Sequence, residues 1–566
     1  MTAPTIGERL HLAGLRASAS LSRIRQQAAI PWDFLADFVA RAPNRLLIAP
    51  QDIRTADATV ADDIYSGYFA FGAKIVNVHG ESPFLVASPS PEWEAELMGF
   101  GWMRHLRAAG TPLAKVNARA LIDEWLTYSG RPSTAIAWQP DVAARRLISW
   151  LSHSPAILDN AEIDFYRRFM RSLARHAAWL RRGAGRGARG RAQLIVAIAL
   201  VEIALCTEGA EAQQRQATRH LANVLNRQIL LDGGHIGRNP QTLISSLLDL
   251  LPLRQAYVAR AVVVPVELNN AIDRMMPMLR LFRHSDGAIA LFNGMGQTAQ
   301  DELSTVLAYD DARSQPLMNA IATGYQRLEG GDIIAIFETG KPPPRDFSAG
   351  AHAGALSFEM SGAGERIIVN CGAPVSRGGP LRQAARFTAA HSTLVLDDTS
   401  SCKIAGSDGA DILLQGVILS GPRHVPVDRR EMPGTVEVTA SHDGYAGALG
   451  LIHQRTLRLD ADGARLEGFD RLKAAGRKAP EGDISFAIRF HLHPQIKVGS
   501  IENGQGALLV TPAGQQWIFH ASGFPVTIEE SAFFASPEGT RATSQIVLSG
   551  TAKGGDGIDW VLMKKG

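Results

Sequence analysis

Hydrophobic residues recur at helical spacing through the first half of the chain and switch to short alternating runs in the second. Between 92 and 108, Trp93, Leu97, Phe100 and Leu106 fall at helical intervals. The same spacing predicts further helices at 115–128, 140–153, 160–181, 191–207, 212–230 and 241–259. Ahead of them the pattern is mixed: Trp32-Asp-Phe-Leu reads as helical, and the stretch from Phe69 to Val78 alternates as a strand does. From about 280 the character changes. His284-Ser-Asp-Gly through Phe292-Asn-Gly-Met-Gly296 reads as turn, strand, turn, and Lys341-Pro-Pro-Pro-Arg345 is a stiff connection. Beyond it come short glycine-punctuated runs at 356–359, 366–370, 392–396, 435–440, 454–459, 486–491, 518–520 and 561–563. They predict an antiparallel β-sandwich.

Helices first and strands afterwards give a segregated α+β chain rather than an alternating one. At 566 residues it is too long for one core. The expected parts are an entry segment at 1–90, a helical domain at 91–285 and a β domain at 286–566. Seven of the nine tryptophans (Trp32, Trp93, Trp102, Trp125, Trp138, Trp150 and Trp179) lie in the helical third, where they either fill helix contacts or line a sugar groove. No repeat of fixed period is visible, which disfavours a regular solenoid.

Composition adds little. Hydrophobic residues make up 46% and charged ones 20%, ordinary for a globular protein, and a net charge of +3 implies no nucleic-acid partner. The run from Arg181 to Arg191 is rich in arginine and glycine. Arg186, Arg189 and Arg191 there read as contacts for an acidic saccharide; an anion-binding loop for nucleic acid or a flexible solvated linker are the other readings of the run. Cys206, Cys371 and Cys402 show no CxxC spacing and read as buried thiols. No signal-type apolar segment and no run of membrane-span length is visible, so a cytoplasmic protein is the simplest expectation. The basic amphipathic pattern at 8–28 leaves a periplasmic or membrane-surface place as the alternative. A homodimer is compatible with everything in the sequence.

The densest polar chemistry sits in Leu231-Asp-Gly-Gly-His-Ile-Gly-Arg-Asn-Pro-Gln-Thr242. His235, Arg238 and Asn239 bring an imidazole, a guanidinium and a carboxamide together on a permissive glycine backbone, and Pro240 can start the next helix. A connecting loop whose Asn caps that helix is the plainer reading.

This loop is followed by Ala351-His-Ala-Gly-Ala-Leu-Ser-Phe358, Ile367-Ile-Val-Asn-Cys-Gly372, Arg386-Phe-Thr-Ala-Ala-His-Ser-Thr-Leu394, His442-Asp-Gly-Tyr445 and Phe490-His-Leu-His-Pro494. The ordered series resembles the heparinase II/III-like polysaccharide lyases over roughly residues 90–530. The resemblance implies an incomplete (α/α) toroid followed by an antiparallel β-sandwich. It also implies β-elimination in an acidic polysaccharide or oligosaccharide containing uronic acid. Such chemistry needs a cation for the uronate carboxylate, a base for the C5 proton and an acid for the leaving oxygen. By residue type, Arg238 and Asn239 suit the first task, His235 the second, and Tyr257 or Tyr445 the third.

Matching the family position by position exposes departures. The catalytic Tyr position falls on Thr242, and the Asn-His pair falls near Gly187, where neither residue is present. Some members hold a divalent cation, zinc or calcium, through two histidines and an aspartate; here His352 and His391 match, but Asn370 replaces the aspartate. Three readings therefore stand: a lyase with a rearranged site, a catalytically silent carbohydrate-binding relative, and an envelope-associated protein that reuses the scaffold.

Overall fold

The computed structural model describes residues 42–565 except 73, 134, 183–187, 311–312, 376–378, 406–415 and 477–482. The amphipathic pattern at 8–28, Trp32 and Arg186 lie outside the described residues. The chain divides into two compact units. One contains residues 1–228, 245–272 and 301–309; the other contains 229–244, 273–300 and 310–566. This division is not the sequence boundary at 285, because the polar loop at 231–242 groups with the β unit.

The first unit is helical, and local chemistry sets where its helices begin. Ser90 and Thr111 each accept a hydrogen bond from the backbone three residues on, with Pro91 and Pro112 in the first turn, so Pro91–Gly99 and Pro112–Tyr128 have well-formed starts. Phe100 and Gly110 adopt left-handed conformations that end their helices. The helices Pro140–Ser152, Ile163–Arg181, Ala192–Cys206 and Glu211–Gln228 follow. Ala192–Cys206 is apolar on all sides and almost wholly buried, as a central helix must be.

The tryptophans settle as core. Trp125 and Trp150 meet edge to face at 5.3 Å, and Phe100 packs on both. The guanidinium of Arg146 lies 4.0 Å above Trp125 and donates to His176 Nε2 and to the Met98 carbonyl. Trp93, Trp102, Trp138 and Trp179 are also buried, so none of the described tryptophans of this region offers a face to a sugar. Tyr68–Phe71 and Lys74–Asn77 form the one hairpin described here.

In the second unit two antiparallel sheets share a core. The eight-stranded sheet runs Val427–Met432, Thr435–His442, Leu451–Asp460, Arg465–Ala474, Gly557–Lys564, Gln516–Ala521, Gly506–Val510 and Lys497–Ile501. The nine-stranded sheet runs Val526–Phe533, Arg541–Ala552, Ile484–Leu492, Glu365–Val369, Phe358–Gly362, Ile333–Glu338, Tyr325–Gly330 and Asn319–Ala320, with Leu394–Leu396 pairing on Ile484–Leu492. Period-two burial drives the packing: Leu451, His453, Arg455, Leu457 and Leu459 all point inward along one strand. Phe358 from one sheet stacks on Trp560 from the other at 5.5 Å. Opposite Trp560, Gly468 leaves room that no side chain could share with the indole.

Three helices interrupt the stretch expected to be β, the short Pro380–Ala384 and Ala446–Leu449 and the longer Gln300–Ala308. Gln300–Ala308 opens with Asp301 and Glu302, which suit its N-terminal dipole.

The sandwich core also encloses charge. Asp470 accepts from His453 Nε2, from Arg455 Nε and Nη2, and from Trp560 Nε1. Arg455 Nη1 donates onward to the carbonyls of Leu356 and Ser392, tying both histidine-bearing segments to the eight-stranded sheet.

Candidate functional site

The polar loop is built by its glycines and by Asp232. Leu230 and Gly234 close a tight turn through a 2.8 Å hydrogen bond, with Gly233 at a φ of 84°. Asp232 accepts from Thr323 N at 2.7 Å and Thr323 Oγ1 at 2.6 Å, which pins the turn to the segment before Tyr325–Gly330.

Arg238 follows at a φ of 61°, and its guanidinium points into protein. Nε donates to the Thr323 carbonyl at 2.7 Å, Nη2 to that of Gly324 at 3.1 Å, and Nη1 to that of Lys341 at 2.8 Å. Nη1 also pairs with Glu338 Oε1 at 2.9 Å. The carbon of the guanidinium stands 4.8 Å from the centre of the Tyr325 ring, and Tyr325 returns a hydrogen bond to the Arg238 carbonyl. Gly340 has no side chain to spare here, since a Cβ would come within 2.5 Å of Nη2. All three guanidinium nitrogens are thus engaged. Arg238, expected to neutralise a substrate carboxylate, is clamped here by carbonyls of Thr323, Gly324 and Lys341 and by Glu338.

His235, expected as the base, is also held by its own loop. Its Nδ1 accepts the Gly237 N–H at 2.9 Å, which assigns the neutral ring proton to Nε2. A proton-accepting lone pair is therefore absent from Nε2, and the buried ring meets Phe347 edge-on at 5.5 Å. Asn239 caps Pro240–Ala259 through Oδ1, which accepts from Gln241 N at 2.8 Å, as the plainer reading expected. Its Nδ2 faces the Gly294 turn.

Neither tyrosine is placed as an acid. Tyr257 is buried in the first unit, its hydroxyl 2.5 Å from Thr218 Oγ1, and burial pushes its phenol up to about 12. Tyr445 is buried in the sandwich, donates to the Leu394 carbonyl at 2.9 Å, and has its phenol raised by burial. Arg189 and Arg191 are exposed at the start of Ala192–Cys206, in the first unit.

The structure does bring His352 and His391 together. His352 Nδ1 and His391 Nε2 lie 3.1 Å apart, and His391 Nδ1 meets the Phe387 carbonyl at 2.9 Å. That carbonyl can only accept a hydrogen bond, so His391 carries its proton on Nδ1 and accepts the His352 Nδ1–H through Nε2. His352 Nε2 is then a bare lone pair, buried and without a partner among the described residues. Burial lowers both imidazoles, His391 to about 4. Asn370 Oδ1 accepts from Ser392 N at 2.9 Å, while its Nδ2, a donor, is buried without a partner.

This set does not fit a divalent cation. The imidazoles bond to each other, the third position supplies a carboxamide, and no cluster of three His, Cys, Asp or Glu ligands exists among the described residues.

Sequence reasoning missed what surrounds this pair. Asn293 Nδ2 donates to Glu338 Oε1 and to Tyr325 Oη, both at 2.8 Å, and its Oδ1 accepts from His352 N. Burial raises the Glu338 carboxyl despite Arg238 beside it. Behind Asn370, Glu359 joins His284 Nε2 at 2.9 Å and the Asn370 N–H at 2.8 Å. The one available signal was the turn Phe292-Asn-Gly-Met-Gly296, noted only as a turn.

The family described as Heparinase II/III-like, C-terminal, matches residues 312–561. FtsZ-localized protein C of Caulobacter vibrioides (strain NA1000 / CB15N) is 32% identical over 532 residues, covering 92% of this chain and 91% of that protein. Among solved structures, a heparan sulfate lyase HepC mutant from Pedobacter heparinus superposes with a TM-score of 0.64 at 14% identity, covering 97% of this chain and 88% of that one. A heparinase III gives 0.67 at 13% identity, covering 86% and 79%. These likenesses carry the fold, an incomplete toroid followed by an antiparallel sandwich. The chain belongs to the heparinase II/III-like family.

Proposed function

We propose that this protein acts by binding rather than by cleavage, as a catalytically silent heparinase II/III-like protein that works with the FtsZ-based division machinery inside the cell. The observation that carries the reading is Arg238. The group best suited to neutralise a uronate is held by carbonyls of Thr323, Gly324 and Lys341 and by Glu338. The FtsZ association follows the name of the relative that shares 32% identity over almost the whole chain. No helix among the described residues is long and apolar enough to cross a membrane. Two assays test the reading together: co-sedimentation of the full chain with polymerised FtsZ, and ultraviolet detection of unsaturated uronides. Co-sedimentation without product is expected. Turnover, or no association with FtsZ, overturns it.

A second reading keeps β-elimination with His352 as the base. It is supported by the bare Nε2 lone pair that the hydrogen bond to His391 creates. Product formation abolished by His352→Ala and retained by His235→Gln would favour it.

A further inference from the structure

Within the first unit, the turn that joins Pro240–Ala259 to the helix Val266–Leu281 carries an apolar surface. From 250 to 266 the chain has no acidic residue and two basic ones, Arg254 and Arg260. Val258, Val263 and Val266 are 66%, 89% and 62% exposed, and Val263 is the most exposed large hydrophobic side chain among the described residues. Ala259 and Ala261 between them are exposed too. One exposed apolar residue is ordinary, but a contiguous group marks a contact surface.

The group is held rigidly. Val262 N donates to the Tyr257 carbonyl at 3.0 Å and Ala261 N to that of Val258 at 2.9 Å. Ala261 is left-handed at a φ of 51°, so the first helix ends in a closed hydrogen-bonded cap. Pro265 leads into the next helix, its carbonyl accepting from Leu268 N at 3.1 Å. The rings and side chains of Tyr257 and Leu268 are buried beneath the turn, and Arg260 Nε donates to the Leu205 carbonyl at 2.9 Å. Valine has few rotamers to lose, so a partner meets a preformed apolar knob at little entropic cost.

The rim is basic. Arg254 lies one helical turn before Val258 on the same face, and no ion pair engages it among the described residues. Thr218 on Glu211–Gln228 meets the Tyr257 hydroxyl, which brings the exposed Arg215, one turn before Thr218, to the neighbourhood of the knob. Glu267, beside Val266, is the acid nearest in sequence. The complement of such a surface is an apolar segment with carboxylates next to it. A lipid surface suits it less, because 250–266 contains no Trp, Phe or Lys and its one Tyr is buried.

We propose that the turn at 258–266 is the surface on which FtsZ docks, through an apolar FtsZ segment flanked by carboxylates. The claim rests on the reading that this chain binds FtsZ, and adds to it the place and the chemistry of the contact. Val258, Val263 and Val266 supply the apolar centre, and Arg254 and Arg215 steer and orient the acidic flanks.

Co-sedimentation of the full chain with polymerised FtsZ, beside melting temperatures, tests the surface. Val263→Asp, and Val258→Ser combined with Val266→Ser, are each expected to weaken affinity by about tenfold while melting as the wild type does. Arg254→Gln is expected to weaken binding and to flatten its dependence on salt. Ile75→Asp, at an apolar side chain 70% exposed on the hairpin, is expected to bind as the wild type does. Wild-type affinity in all the turn variants overturns the docking surface and leaves the FtsZ reading standing, and an equal loss in Ile75→Asp overturns the surface as well. No co-sedimentation of the wild type overturns both. Val263→Asp that abolishes self-association in the ultracentrifuge, or flotation with phosphatidylglycerol vesicles, while co-sedimentation persists assigns the knob to a second copy or to lipid and overturns the proposal.

Discussion

Replacing Arg238 with Ala separates a clamp from a substrate ligand. The side chains of Arg238 and Glu338 are 6% and 2% exposed, so the pair belongs to the buried regime, where removing one partner strands the other. Breaking such a pair costs about 3–5 kcal/mol, against under about 1 kcal/mol for an exposed one. The substitution also removes the donors to Thr323, Gly324 and Lys341, whose carbonyls would need water in their place. At roughly 2–4 °C per kcal/mol, the melting temperature should fall by about 6–20 °C. Arg238→Lys should recover little, because a single ammonium cannot reach all the carbonyls that the planar fork spans. Urea denaturation of Arg238→Ala, Glu338→Gln and the double variant would give the coupling directly. A stability loss below about 1 kcal/mol, with a binding or turnover defect instead, would refute the clamp.

Other outcomes follow from the same geometry. Tyr445→Phe and Tyr257→Phe should each cost about 1 kcal/mol of unfolding free energy by chemical denaturation, the value of one ordinary hydrogen bond, and leave co-sedimentation with FtsZ unchanged. Gly354→Ala should destabilise by about 1–3 kcal/mol, because its Cβ would lie 2.8 Å from both Glu338 Oε2 and His391 Cδ2. Stability should fall as pH drops from about 7 toward 4. His391 and His491 are buried neutral, with folded values lowered to about 4 and about 3, so below 6.5 the unfolded chain binds protons that the folded one refuses. Chemical denaturation across that range measures the slope, and a flat profile would contradict it. Excess zinc or calcium should not raise the melting temperature, because among the described residues no third His, Cys, Asp or Glu completes a site with His352 and His391.

The segregated fold was legible because its two periodicities differ: Trp93, Leu97, Phe100 and Leu106 mark a helix, and the strand containing Leu457 and Leu459 alternates. Gln300–Ala308 was missed inside a stretch that is otherwise strand and turn. The departures at Thr242 and Asn370 were also visible, since identity alone changes their chemistry. The direction of a side chain was not. Arg238 has the residue type of a carboxylate ligand, and only the positive φ and the carbonyls of Thr323, Gly324 and Lys341 turn it inward. These acceptors lie some 85 to 103 positions downstream, beyond any local motif. His235 shows the same limit: its tautomer depends on the Gly237 N–H that folds back on it.

The most direct test of binding without cleavage is absorbance of unsaturated uronides, with the folded full chain incubated across a panel of acidic glycans. The account predicts no product from any of them, for the wild type as for Arg238→Ala. Accumulating product that disappears on mutating His235 or Arg238, in variants that keep the wild-type melting temperature, would contradict it and restore the loop as an active site.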